Sequence, residues 1–172
     1  MNKRIYKIAQ AFEISNEKEQ KKQSGSKAGE KMAIFAASLR AVAVLHQNAH
    51  WICDKTTFYG DHLLFQRIYE KTDSHVDTVA EKTVGIFGAE FIKPSFFGKI
   101  IAETLEQADS TNLDSLLATS LAAEQALLKQ AKELYDELKE SGDMTLGIDD
   151  LIMSIASDHE ENVYLLKQRT SK

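Results

Sequence analysis

Residues 32–53 read MAIFAASLRAVAVLHQNAHWIC. Met32, Phe35, Ala36, Leu39, Val42, Ala43 and Ala49 recur at i, i+3, i+4 and i+7, so the stretch predicts an amphipathic helix with one buried stripe. Downstream, DKTTFYG (54–60) breaks the pattern, and a second helical period runs from about Phe58 to Phe87, closed by Gly85 and Gly88. Pro94-Ser95 reads as a helix start and KIIAETLEQA as a short helix. Asp109, Ser110, Thr111 and Asn112 then offer caps for a third long helix to about Glu140, stopped by Ser141-Gly142-Asp143. A fourth periodic stretch covers Asp149 to about Gln168. The expectation is an all-α four-helix bundle with a short extra helix between the second and third, without internal repeat or strand-like alternation.

Composition agrees. The 172 residues are 43% hydrophobic and 27% charged, suited to one domain, and Pro94 is the only proline to interrupt a helix. The single cysteine, Cys53, cannot form an intrachain bridge, which excludes a disulfide scaffold. No apolar run approaches the roughly 18 residues of a membrane span, and Lys7, Gln10 and Glu13 interrupt any signal-peptide core, so a cytoplasmic location is expected. Charge is divided unevenly. Residues 1–31 hold eight Lys/Arg and four Glu, giving +4, whereas residues 32–172 hold 13 Lys/Arg and 22 Asp/Glu, giving -9. Residues 1–30 therefore read as a flexible basic tail, with a short amphipathic helix over 4–14 (Ile5, Ile8, Ala9, Phe12), and 31–172 as the bundle domain.

Missing motifs narrow the chemistry. Neither GxGxxG nor GxxxxGK[ST] occurs, and His159-Glu160 fails as a zincin because Val163 stands where the second His belongs. Ala43, Gln47, Tyr59, Thr72 and Ala156 precede the five histidines by three residues, so no Glu-x-x-His exists and an ordinary ferritin centre inside the bundle is excluded.

The stretch AHWICDKTTFYGDHLLFQRIYEKTDSHVDTVAEK (49–82) carries a resemblance. His50-Trp51 at the end of the first helix, Phe58 in the turn, His62 twelve residues on, and His75-Val76-Asp77 running into Asp77-Thr78-Val79-Ala80-Glu81-Lys82 resemble the Dps family of DNA-protecting mini-ferritins. More weakly, the likeness extends over residues 32–170, including SGDM and DHEENVYLLK. The resemblance implies that His50, His62, Asp77 and Glu81 are the iron ligands and catalytic residues of a ferroxidase centre in a hollow dodecamer, with hydrogen peroxide as oxidant. It departs at Gln66, where the family often has an acid. Asp143, Asp149 and Asp150 resemble the acids of the family's three-fold iron pores, with different loop spacing.

The residues also speak for themselves. Imidazoles and carboxylates without cysteine favour iron over softer-ligand metals. On a continuous second helix His62, Gln66, Asp77 and Glu81 project at about 0°, 40°, 60° and 100°, a single stripe. Yet His62 and Asp77 lie fifteen residues apart, about 22 Å along the axis, too far to share a metal within one chain. An antiparallel copy of the helix, related by a two-fold axis near residues 70–72, would bring Asp77 and Glu81 beside His62 and create two identical sites. Against this stands a plainer reading of Asp77 and Glu81 as a solvated acidic face. His46 reads as a packing or surface histidine or an extension of the site, Trp51 as a core or interface aromatic able to take up a stray oxidising equivalent, and Cys53 as a buried inert thiol. His75, Tyr69 and Asp73 read as interface residues.

These readings converge on an iron-oxidising, iron-storing mini-ferritin that protects against peroxide stress. Its partners would be copies of itself and, through the basic tail, non-specific DNA in the nucleoid, with no membrane. The rivals are a nucleoid-compacting DNA-binding shell protein with a weak metal site, and a zinc-binding four-helix protein.

Overall fold

A computed structural model describes residues 3–106, 108 and 112–171, with side chains from residue 27 onward except residue 55. Five helices follow one another: α1 (Lys3–Ile52), α2 (Phe58–Phe87), α3 (Pro94–Leu105), α4 (Leu113–Ser141) and α5 (Leu146–Thr170). Single 3-10 turns over Lys55–Thr57 and Ala89–Phe91 join α1 to α2 and lead out of α2. The contacts α1–α2, α2–α5, α5–α4 and α4–α1 close a ring of four long helices, and short α3 lies against α1. The expected four-helix bundle with a short extra helix is thus observed. Among the described residues no strand occurs, and no helix is long and apolar enough to cross a membrane.

Local chemistry sets the helix ends. Pro94 occupies the first turn of α3, where a missing N–H costs nothing. The Asn112 side chain accepts from Ser115 N at 3.0 Å and caps α4. Gly142 ends α4 at φ 75°, and the N–H of Asp143 and of Met144 turn back onto the Leu138 carbonyl. Thr145 caps α5 by accepting from Ile148 N, so α5 begins three residues before the expected Asp149. The larger difference is in α1. Its backbone is helical from Lys3, so no break in secondary structure separates the expected tail from the bundle. The side chains of residues 3–26 lie outside the described residues, and the division at residue 30 stands on composition alone.

The core has two apolar storeys. One gathers Met32, Phe35, Leu39, Val79, Leu134, Leu138, Ile148 and Ile155; the other Leu45, Ala49, Phe65, Ile68, Leu116, Leu117 and Leu166. Between them in the numbering of α2, α4 and α5 come the buried polar residues Thr72, His75, Ser120, Glu124, His159 and Asn162, and His46, which follows Leu45 in α1, is buried as well. At the second storey's end, Arg169 of α5 donates Nε to Asp61 Oδ1 (2.6 Å) and Nη2 to Asp61 Oδ2 (3.0 Å). This fork closes on a carboxylate with 2% exposure at the start of α2, and so fixes the residue immediately before His62.

Candidate metal centre

His50, near the end of α1, and His62, one turn into α2, meet where the two helices are joined by a short turn. His50 Nδ1 donates to the His62 carbonyl at 2.9 Å, and His62 Nδ1 donates to the His50 carbonyl at 3.1 Å. A carbonyl can only accept, so both protons sit on Nδ1, and in the neutral rings both Nε2 atoms carry a free lone pair. That is the tautomer a metal-binding imidazole needs, held by the backbone bond that commonly orients such ligands. The rings stack with centroids 3.7 Å apart. Phe58 stacks on the outer face of His62 at 5.0 Å, and Tyr69 meets His50 edge-on at 5.4 Å. Both histidines are half-buried.

Asp77 and Glu81 are exposed on α2, which runs unbroken from Phe58 to Phe87. Helical rise keeps them roughly 22 Å or more from His62. Among the described residues no group of three or more His, Cys, Asp or Glu side chains is placed to hold a metal ion within one chain. One chain therefore assembles the two imidazoles but not the two carboxylates, and a broken second helix folding Asp77 back onto His62 does not occur. The donor set suits iron only if oxygen donors arrive from another copy.

The interior holds a cluster that sequence reasoning missed. Glu124 of α4, fully buried, accepts from His46 Nε2 of α1 (2.8 Å), His159 Nδ1 of α5 (2.5 Å) and Asn162 Nδ2 (3.3 Å). His75 of α2 continues the chain, between His159 Nε2 (3.3 Å) and Asp158 Oδ2 (3.0 Å), and Lys71 reaches Asp158 at 3.1 Å. Burial alone would raise the Glu124 carboxyl, but the hydrogen bonds from His159 and His46 outweigh it and hold it down at about 2. Burial, then the neighbouring His159, lowers His75. These residues hold one another rather than an open coordination position, so His46 and His75 are packed polar core residues. His75 is buried within the chain itself. A signal for the cluster did exist: Glu124 stands on the α4 stripe of Leu117, Ser120, Leu127 and Ala131, mostly apolar, where an acid demands a buried partner.

Other candidates separate cleanly. Trp51 is 67% exposed and belongs to no core. Cys53 is buried, its Sγ–H donating to the Ala49 carbonyl, and burial followed by Asp61 and Asp54 pushes its thiol up to about 11, which makes it inert. Asp73 is engaged by Arg40 of α1. Asp143 lies in the turn after α4, and Asp149 and Asp150 lie near the start of α5.

A ferritin-like domain model matches residues 36–172. A nutrient stress-induced DNA-binding protein of Synechococcus is 26% identical over 128 residues, covering 74% of this chain and 72% of the relative. Among solved structures, Dps from Thermosynechococcus elongatus superposes with TM-score 0.79 at 17% identity, over 88% of this chain and 95% of that one. The Dps protein of Vibrio cholerae, described as a member of a broad superfamily of ferritin-like diiron-carboxylate proteins, superposes with TM-score 0.76 at 20% identity, over 87% and 92%. The two superpositions establish the shared fold.

Proposed function

We propose that this chain, which belongs to the ferritin-like domain family, works as a Dps-like ferroxidase and iron store. Fe(II), the substrate, binds between two copies of the chain, taking His50 and His62 from one and Asp77 and Glu81 from the other. The reciprocal His50–His62 clasp carries the reading, because it spends both Nδ1 protons on backbone carbonyls and leaves the Nε2 of each of two stacked rings free to bind. The carboxylates supply the harder donors that favour the ferric product. Two Fe(II) give one electron each to a hydrogen peroxide, which takes up two protons and leaves as two waters, and no hydroxyl radical is released. The ferric ions pass to a mineral within a closed homo-oligomeric shell, a dodecamer in this reading. The acidic balance of residues 32–172 favours cation collection, and Asp143, Asp149 and Asp150 near the start of α5 are assigned to the entry route.

The two-fold arrangement is tested by complementation. One variant lacks the histidines (His50→Ala, His62→Ala) and another lacks the acids (Asp77→Ala, Glu81→Ala). Each alone loses half the ligands of every site and should be nearly inactive in peroxide-driven Fe(II) oxidation. Co-assembled, a mixed dimer has one site with all four ligands and one with none, so random pairing restores about a quarter of wild-type sites. Confirmed co-assembly without recovered oxidation would sink the intersubunit site.

A second part of the reading is DNA binding through the basic residues 1–31, supported by their +4 charge and by the name of the Synechococcus relative. It places the protein in the cytoplasm at the nucleoid. The same oxidation assay separates an iron-oxidising shell from a purely DNA-compacting one.

A further inference from the structure

Asp61 is the first buried residue of α2: residues 56–60 are all exposed, and a Cβ added at Gly60 would meet open space. The start of α2 is therefore anchored at Asp61, whose carboxylate takes the fork from Arg169 of α5. The same guanidinium reaches one turn back, Nη2 donating to Thr57 Oγ1 at 3.3 Å. Thr57 stands at the N-cap of α2, where a hydroxyl ordinarily accepts from a backbone N–H of the first turn. Here it makes no such bond and accepts from Arg169 instead. A fork fixes a carboxylate in direction as well as distance, which a point charge cannot do. The clasp needs that precision. Both of its bonds, His50 Nδ1 to the His62 carbonyl and His62 Nδ1 to the His50 carbonyl, depend on one offset, that between the end of α1 and the start of α2. Only Cys53 to Thr57 connect the two helices. A slip of about 1 Å in that offset breaks both hydrogen bonds and frees each ring to rotate and to carry its proton on either nitrogen.

We propose, on the premise of the two-fold iron site above, that Arg169 is a positioning residue for it: through Asp61 and Thr57, the last turn of α5 sets the offset at which His50 and His62 clasp, and so keeps both Nε2 lone pairs available to Fe(II). A side chain on a third helix thereby governs the metal affinity of ligands on α1 and α2 without touching the metal.

The test is anaerobic calorimetric titration of the assembled full-length protein with Fe(II), well below its melting temperature, paired with the kinetics of peroxide-driven Fe(II) oxidation. In Arg169→Gln, which keeps an amide donor but loses the fork, Fe(II) affinity should fall by about tenfold, the usual effect of losing a residue that orients a ligand. KM for Fe(II) should rise to match while kcat at saturating Fe(II) stays within about twofold, because the ligands themselves are intact. A merely structural role would instead lower kcat, through a fraction of unfolded subunits, and leave KM alone; that result overturns the proposal. Arg169→Lys keeps the charge but cannot fork and should lose nearly as much affinity. Wild-type affinity in Arg169→Lys overturns the role of the fork. Asp61→Ala removes the buried charge along with the fork, and so carries the test even where Arg169→Gln, which leaves that charge unpaired, does not assemble by light scattering. It too should bind about tenfold more weakly, and unchanged affinity overturns the proposal. Because both residues act through one contact, the double variant should bind about as weakly as the weaker single one, whereas losses that multiply mean separate actions and also overturn it. The His50→Ala, His62→Ala protein separates the two levels. If it binds Fe(II) as the wild type does, the two-fold site is wrong and the role of Arg169 falls with it. If it has lost Fe(II) and Arg169→Gln has not, only the role of Arg169 is wrong.

Discussion

Glu124 is held by His46 of α1 and by His159 and Asn162 of α5, and its removal reaches further than its own atoms. Alanine there leaves His46 Nε2 and His159 Nδ1 buried without an acceptor, and His46 Nδ1 already has no partner. Leaving buried donors without an acceptor costs about 1–3 kcal/mol each, so Glu124→Ala should lower the melting temperature of the protein by several degrees. Glu124→Gln, which keeps one acceptor oxygen, should lose less. An alanine variant that melts with the wild type would show that the cluster relaxes without cost. The pH dependence has two parts. His75 is lowered when folded, so the unfolded chain takes up its proton first, and that contribution is present above about 6.5 and lost as pH falls below it. Glu124 is depressed to about 2 from 4.5, so its contribution is complete above 4.5 and lost between there and about 2. Thermal melts should therefore show stability declining from about pH 6.5 downward, with His75→Gln flattening the upper part and Glu124→Gln the lower. His50 and His62 were legible through the resemblance to the Dps family, but their clasp was not, because it depends on two backbone carbonyls that sequence does not mark.

At the level of the helices, punctuation was read well wherever one residue does the work alone. Asn112 caps, Pro94 opens and Gly142 closes because each acts through its own backbone or a side chain three residues away. The start of α5 was misplaced because Leu146 is 90% exposed and Gly147 breaks the pattern, so neither contributes to the apolar stripe that begins at Ile148. The glycines give a test with two signs. At Gly142, φ of 75° suits no side chain well, and although a Cβ there meets open space, Gly142→Ala should destabilise by about 1 kcal/mol. At Gly98, inside α3 with ordinary helical backbone and equally open space, Gly98→Ala should stabilise by about 0.5–1 kcal/mol. Chemical denaturation of the two variants side by side checks both. Equal shifts in one direction would mean that packing, not backbone conformation, governs these positions. The central cluster escaped notice for the opposite reason: His46, His75, Glu124 and His159 come from four helices, and only packing makes them neighbours.

Across the whole molecule the charge division sets where the proposed DNA binding would fall. Residues 32–172 carry -9, so the bundle repels phosphate, and any attraction must come from the positive N-terminal stretch, multiplied over the copies in a shell. Residues 2–27 hold seven Lys/Arg and three Glu, so deleting them removes +4. The structure locates the cut. Ala28 is 5% exposed and packs in the core with Met32 and Leu134, while Lys31 pairs with Glu137 at 3.2 Å and is already spent within the bundle. A chain beginning at Ala28 therefore keeps every described core contact of α1 and loses a net charge of +4. The expectation is that the full-length protein retards plasmid at low salt and releases it as salt rises, with the steep dependence of counterion release. The truncated protein should leave plasmid mobility unchanged at every salt concentration, while shell assembly and peroxide-driven Fe(II) oxidation persist. Retardation that survives the truncation would place the DNA contact on the bundle. A full-length protein that leaves plasmid mobility unchanged even at low salt would confine the function to iron, because three glutamates among seven cations would then have diluted the stretch below the density that phosphate binding requires.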